Sequence, residues 1–215
     1  MKRGLFIVLE GIDGAGTTTQ INLLHDYIKT LSKYNDVLTT HEPWKSEEIK
    51  RKLKEDKDSY SGGLQMVSLY VDDRANHLND LIIPNLNKGV YVLSDRYNMS
   101  TYAYQMTQGV SFDEIDKIHN NRQITPPDLT FYLDVDFEIA RERIINRGEK
   151  LEKFERDKDF VIKLIDNYRK IVENNQADKS RFGDIIFIDG EKSIDEVADD
   201  ILINFHRKYT LNSNI

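Results

Sequence analysis

The stretch Leu5-Phe6-Ile7-Val8-Leu9-Glu10-Gly11-Ile12-Asp13-Gly14-Ala15-Gly16-Thr17-Thr18 decides the fold. Leu5 to Leu9 is an unbroken apolar run, the pattern of a strand covered on both faces rather than one. Glycines follow at once, and then the stripe Ile21, Leu24, Ile28 and Leu31 of an amphipathic helix. Glycines let backbone amides turn inward, and a helix N-terminus adds partial positive charge, so a strand, Gly-rich loop and helix in this order can cradle phosphate. A Gly-rich turn can also merely join a strand to a helix. The spacing favours phosphate, since G-x-x-x-x-G-K-[ST] is matched at every fixed position but one. Thr17 stands where the lysine belongs, and residues 4 to 28 hold no Lys or Arg that a shift of register could supply. The dinucleotide pattern fits worse, because Thr19 occupies the place of its third small residue.

Outward from this stretch, further β-rich runs lie at Val37 to Thr40, Val90 to Leu93, Leu129 to Val135 and Ile185 to Ile188. Helical stripes separate them, among them Val161, Leu164, Ile165, Tyr168 and Val172, and then Ile194, Val197, Ala198, Ile201, Leu202 and Phe205. Strands alternating with helices imply an α/β fold with a five-stranded parallel sheet flanked by helices. Lys45 to Gly63 reads as an exposed helix followed by a turn at Ser61-Gly62-Gly63. Residues 1–209 are expected to form one domain, and 210–215 a frayed tail. Ligand sites in such sheets lie beyond the carboxyl ends of the strands, which selects Glu10 to Thr18, His41 to Trp44, Asp95 to Tyr97 and Asp189-Gly190.

Composition narrows the chemistry. The 215 residues carry 30 Lys and Arg against 37 Asp and Glu, a net charge of −7, which argues against a nucleic-acid protein working through a global basic field. With no cysteine there is no disulfide, thiolate nucleophile or Cys-based zinc site. The apolar run after Met1-Lys2-Arg3 is too short for a secretory signal and no run approaches a bilayer span, so a cytoplasmic protein without membrane attachment is expected.

The chain resembles the thymidylate kinases, a family of P-loop nucleoside monophosphate kinases. The resemblance rests on EGIDGAGTTTQ at Glu10 to Gln20, EP at Glu42-Pro43, LYVDDR at Leu69 to Arg74, DRY followed by STYAYQ between Asp95 and Gln105, PDLTFYLDV at Pro127 to Val135, and RGEKLEKFE at Arg147 to Glu155. It implies a P-loop NTPase fold with a short lid at about 143–156, and phosphoryl transfer from MgATP to dTMP giving dTDP and ADP. It also implies a homodimer.

Residue by residue, the resemblance assigns Gly11, Ile12, Asp13, Gly14, Ala15, Gly16, Thr17 and Thr18 to the ATP phosphates, with Arg143 as a further ATP contact; it does not assign the adenine contacts, for which Asp189 to Lys192 is a separate expectation. Thr18 and Asp95 would meet Mg2+. Arg96 would clamp the acceptor phosphate and act as a catalytic cation with Arg147 and Lys153, and Asp95 would assist. Tyr70 would stack on the base, Arg74 would hydrogen-bond it, and Thr101, Tyr104 and Gln105 would read base and sugar. Asp13 would face the deoxyribose 3′-hydroxyl, and His41 the monophosphate.

Each assignment has a plainer competitor. Asp95 could be a strand-end ion-pair partner, Tyr70 a core residue, and Asp13 an acid favoured by the helix dipole. The run Arg141, Arg143, Arg147, Lys150, Lys153 and Arg156 could be a solvated helix face. Three positions depart from the family. Thr17 replaces the lysine, His41 replaces an arginine with a group only partly cationic near neutrality, and Lys153 stands where the lid arginine is usual. A kinase of another deoxynucleotide or of thymidine itself therefore stays open, as does a nucleotide-binding protein that has given up catalysis.

Overall fold

The computed structural model describes residues 2–148, 150–175 and 179–213. Glu149 of the expected lid and the last two residues of the expected tail lie outside them. Five strands, β1 (Phe6–Glu10), β2 (Val37–His41), β3 (Tyr91–Asp95), β4 (Leu129–Asp134) and β5 (Asp184–Asp189), form one parallel sheet in the order β2-β3-β1-β4-β5. The five expected runs are the five strands, each within one or two residues of its expected ends.

All of β1 is buried, as its unbroken apolar run requires. Its alternation sends Ile7 and Leu9 into the main core, and Phe6 and Val8 into a second cluster with Leu78, Ile82, Leu86, Val92 and Tyr97. The edge strands β2 and β5 are only partly buried, so the core is centred on β1, β3 and β4.

The helices are α1 (Thr17–Leu31), α2 (Glu47–Glu55), α3 (Gly63–His77), α4 (Ile83–Asn87), α5 (Asn98–Thr107), α6 (Phe112–Asn121), α7 (Phe137–Asn146), α8 (Lys158–Asn175) and α9 (Ile194–Ser213). A π-helical turn, Leu78–Ile82, joins α3 to α4 just before Pro84, which has no N–H to give to the ladder. A capping box starts α6, with Ser111 and Glu114 each meeting the other's backbone N–H. The exposed helix expected between Lys45 and Gly63 is α2, and Gly62, at φ 69°, leads into α3. The tail expected to fray from Thr210 is helical through Ser213, because no Gly or Pro interrupts α9 there. No helix among the described residues is long and apolar enough to cross a membrane.

Sheet order and register position the site. β1 lies between β3 and β4 although the chain runs first to β2, which makes the carboxyl end of β1 the switch point of the sheet. In register Asp95 pairs with Leu9 on one side and with His41 on the other, so the ends of β1, β2 and β3 open onto one crevice. Leu9 is 0% exposed and Tyr34 81% exposed. Leu9→Ala is expected to lower stability by about 3 to 5 kcal/mol in urea unfolding, and Tyr34→Ala to stay within about 0.5 kcal/mol.

Candidate active site

The glycine loop runs from Gly11 to Thr18 between β1 and α1. Gly14 and Gly16 take φ of 87° and 96°, the left-handed region that L side chains rarely enter. Gly14 also lies against α7, where a Cβ would come within 2.4 Å of the Ala140 carbonyl oxygen. Ile12 and Ala15 anchor the loop in the core at 4% and 3% exposure. Gly16 precedes α1 without a side-chain cap, so the first amides of the helix have no capping side chain of their own. The loop lines a cavity of about 930 Å³ that includes Thr17, Thr18, His41, Asp95 and Arg96.

At the ends of β3 and β1 the contacts are direct. Thr18 Oγ1 donates to Asp95 Oδ2 at 2.6 Å. Arg96 has φ 66°, unusual for a residue with a side chain, and its N–H donates to the Leu9 carbonyl at 2.8 Å. Its guanidinium meets Asp13 Oδ1 at 2.6 Å and Tyr104 Oη at 3.1 Å. The protein walls oppose the charge on Arg96, and Asp13 more than restores it. The same walls push the Asp13 carboxyl up, but Arg96 and hydrogen bonds from Glu155 and Tyr104 outweigh them and hold it below its ordinary value.

A second cavity, of about 570 Å³, is lined by Tyr70, Arg74, Thr101, Tyr104 and Gln105. All five residues expected to read base and sugar are thus brought together, on α3 and α5. Arg74 is 1% exposed, and its guanidinium is largely taken up by the protein. Nε donates to Glu42 at 2.8 Å, one terminal nitrogen donates to His119 Nε2 at 3.0 Å, and the other donates to the Tyr97 carbonyl and to Thr101 Oγ1. It is a brace between β2, α5 and α6 before it is anything else. His119 accepts from it as a neutral ring, since burial and then the Arg74 charge push its pKa down to about 3. Gln105 Oε1 is buried and has no hydrogen-bond partner. Burial pushes the Tyr70 hydroxyl up to about 12, so the phenol stays neutral.

The two cavities share Asp13, Glu42, Arg96, Glu152 and Glu155. The site is therefore two chambers meeting at the Arg96–Asp13 pair.

The remaining expected cations divide. Arg147 lines the phosphate-loop chamber. Arg143 instead donates to the carbonyls of Gly190 and Glu191, at 2.8 and 3.3 Å, beside the end of β5. Lys153 lines the smaller chamber and an outer groove, its Nζ 3.4 Å from the Asp58 carbonyl and 4.0 Å from Asp56. The turn after α2 draws that ammonium away from Thr17.

Several contributors were given no role of their own from the sequence. Glu10, 0% exposed, accepts from Tyr97 N at 2.9 Å and from Ser100 Oγ at 2.6 Å, tying β1 to the start of α5. Burial raises its pKa against those donors. The sequence signal was a carboxylate directly ending an apolar strand. His119 and His77 gave no signal, because their partners Arg74 and Glu42 are far away in sequence.

A family model described as thymidylate kinase matches residues 9–201. The chain belongs to the thymidylate kinase family. Among similar proteins is the thymidylate kinase of Sulfurihydrogenibium sp. (strain YO3AOP1), 35% identical over 199 residues that cover 90% of this chain and 93% of that protein. A probable thymidylate kinase of Staphylothermus marinus is 34% identical, with 93% and 94% covered. The thymidylate kinase of Staphylococcus epidermidis strain RP62A is 37% identical, with 91% and 94% covered.

Mg2+ usually takes one or two protein oxygens and completes its shell with water and phosphate oxygens. Among the described residues no three His, Asp or Glu side chains converge as a metal cage. The hydroxyl of Thr18 and the carboxylate of Asp95, facing each other at 2.6 Å beside the loop, are a donor set of the shared kind.

Glu155 links the 147–157 segment to the loop through its hydrogen bond with Asp13. Burial, then that bond and the Asp13 charge, push the Glu155 carboxyl up from 4.5 to about 7. A raised folded-state value stabilises fully below the unfolded value and is lost as pH rises through the folded one. Docking of this segment should therefore loosen as pH climbs through about 7. Asp13, being lowered, loses its contribution only as pH falls through its depressed value. Hydrogen exchange at residues 150–156 is expected to quicken between about pH 5 and 7, and to level off above that, beyond its intrinsic rise. Glu155→Gln should flatten that excess; an unchanged excess in the variant would contradict the link.

Proposed function

We propose that this protein transfers the γ-phosphoryl group of ATP to dTMP, giving dTDP and ADP. The observation that carries the reading is the junction of the two chambers at Asp13 and Arg96, which fits a donor and an acceptor meeting end to end. Its support is the family, together with the gathering of Tyr70, Arg74, Thr101, Tyr104 and Gln105 around one cavity.

In this reading the triphosphate lies on the amides from Gly14 to Thr18, where the α1 N-terminus favours negative charge. Thr18 and Asp95 would hold Mg2+, which would supply charge neutralisation for the phosphates. dTMP occupies the smaller chamber. The buried, unpaired Gln105 Oε1 is an acceptor suited to an imide N–H such as that of thymine, and Tyr70 offers a ring face. Tyr104 closes the sugar end, its ring packed on Phe154 at 5.3 Å and its hydroxyl 3.3 Å from Asp13. Its bulk leaves no room for a 2′-hydroxyl. His41 stands at the mouth as a weaker phosphate contact than an arginine.

Arg96 faces both chambers. It binds the acceptor phosphate and follows the charge as an acceptor oxygen bonds to the γ-phosphorus and the bond to the β,γ-bridging oxygen breaks. Its strained backbone aims the guanidinium, and Asp13 fixes it before substrate arrives. The segment from Arg147 to Glu155 acts as a lid that excludes water. Arg143, bound to the loop after β5, borders the adenine end.

Turnover measured with MgATP across dTMP, dUMP, dCMP, dGMP and thymidine tests the assignment. dTMP should give the highest kcat/KM, and preference for another acceptor would overturn the use of Tyr70, Gln105 and Thr101. Nucleotide binding without any diphosphate formed would instead support a non-catalytic protein. Arg96→Ala is expected to lower kcat by about 100-fold or more.

A further inference from the structure

We propose that Lys150 supplies the positive charge that the glycine loop lacks at Thr17. The inference rests on the reading of the larger chamber as the site of a nucleotide's phosphates, and concerns how this chain serves it without the usual lysine.

Arg96, Arg143, Arg147 and Lys153 are the cations expected near the phosphates, and the structure separates them. Arg143 is held by the carbonyls after β5, and Lys153 by the turn after α2. Arg96 reaches the chamber but is committed to Asp13 at 2.6 Å. Arg147 lines it and makes contacts of its own. Lys150, exposed, lines the same chamber as Thr17, and no hydrogen bond or ion pair holds its ammonium among the described residues. Of the lysines and arginines lining that chamber, it is the one whose charge is uncommitted.

The chemistry asks for this kind of group. A loop lysine works as a compact point charge on a flexible stem, able to stay with the phosphates as charge moves between them. Threonine at position 17, 9% exposed, is neutral and short. Lys150 lies two residues past Gly148, whose φ of 75° ends α7, so it sits on a non-helical arm rather than on a fixed helix face. From the lining of the same chamber it can approach the β- and γ-oxygens that the loop amides leave exposed. The proton stays on its nitrogen; the ammonium only stabilises negative charge as the phosphorus–oxygen bonds exchange. Of the five carboxylates lining the chamber, Asp13 is paired with Arg96, Glu42 with Arg74, and Asp95 accepts from Thr18, while Glu152 and Glu155 follow Lys150 on its own segment.

The test is a square of four proteins: the natural chain, Lys150→Ala, Thr17→Lys and the double variant. Each is assayed for dTDP formation and, separately, for binding of inorganic tripolyphosphate by calorimetry. Lys150→Ala should lower kcat by about 30- to 100-fold and weaken tripolyphosphate by about 10-fold. In the Thr17→Lys background the same substitution should cost little, since the two ammonium groups do one task. Equal losses in both backgrounds, or no loss from Lys150→Ala, would overturn the proposal.

Because Thr17 is buried and the lysine variant can fail to fold, reductive methylation of the natural protein gives an independent reading. Tripolyphosphate should protect Lys150 and leave exposed Lys88, at the far end of the sheet, unprotected. Equal labelling of Lys150 with and without the anion would refute the contact. If the natural chain makes no dTDP, the kinase reading falls, while the binding square and the labelling still decide whether Lys150 meets phosphate.

Discussion

One ion pair sits where the whole arrangement has to agree. Arg96 at the end of β3 meets Asp13 in the glycine loop at 2.6 Å, and the pair is the wall between the two chambers. An arginine held in this way loses little freedom when a phosphate arrives, which is the main means by which a phosphoryl-transfer site gains rate. Its left-handed backbone is the local cost, and the hydrogen bond from its N–H to Leu9 keeps it there. Leu9 belongs to the most buried strand, so the aim of the guanidinium depends on the centre of the sheet.

Buried charge elsewhere serves the same end. A buried ion pair adds little net stability, because desolvation offsets most of its attraction, yet removing one partner is severe. Glu42, Arg74 and His77 form such a cluster, and His119 and Thr101 complete it. Its value lies in geometry: it fixes α3 against α5 and α6, and so sets the spacing between Tyr70 and the residues opposite. Glu10 does the same between β1 and α5, with donors from Tyr97 and Ser100.

The parts legible in the sequence were those encoded locally. Short β-rich runs gave all five strands, and the unbroken apolar one is β1, which is buried throughout. The glycine spacing gave the loop, and an i, i+4 pair put Tyr70 and Arg74 on one face of α3. Tertiary partnership escaped. The occupation of Arg74 by Glu42, His119 and Thr101 joins residues between 27 and 45 positions apart, and no spacing rule encodes that. The lid was legible as a run of charge but not as a division of labour, since the destination of Lys153 depends on where the turn after α2 lies. Family resemblance pointed to Lys153 by position, whereas Lys150 is the lysine that lines the glycine-loop chamber.

The account stands on two nucleotides lying end to end across Arg96 and Asp13. The most direct measurement uses adenosine and thymidine joined 5′ to 5′ through a chain of five phosphates, titrated alone and in competition with each substrate. One molecule filling both chambers should displace ATP and dTMP alike and bind about 100-fold or more tighter than either, because its second half binds at a high effective concentration. Competition with only one of the two, or an affinity no better than that of ATP, would mean that the chambers do not meet where the Arg96–Asp13 pair places their junction.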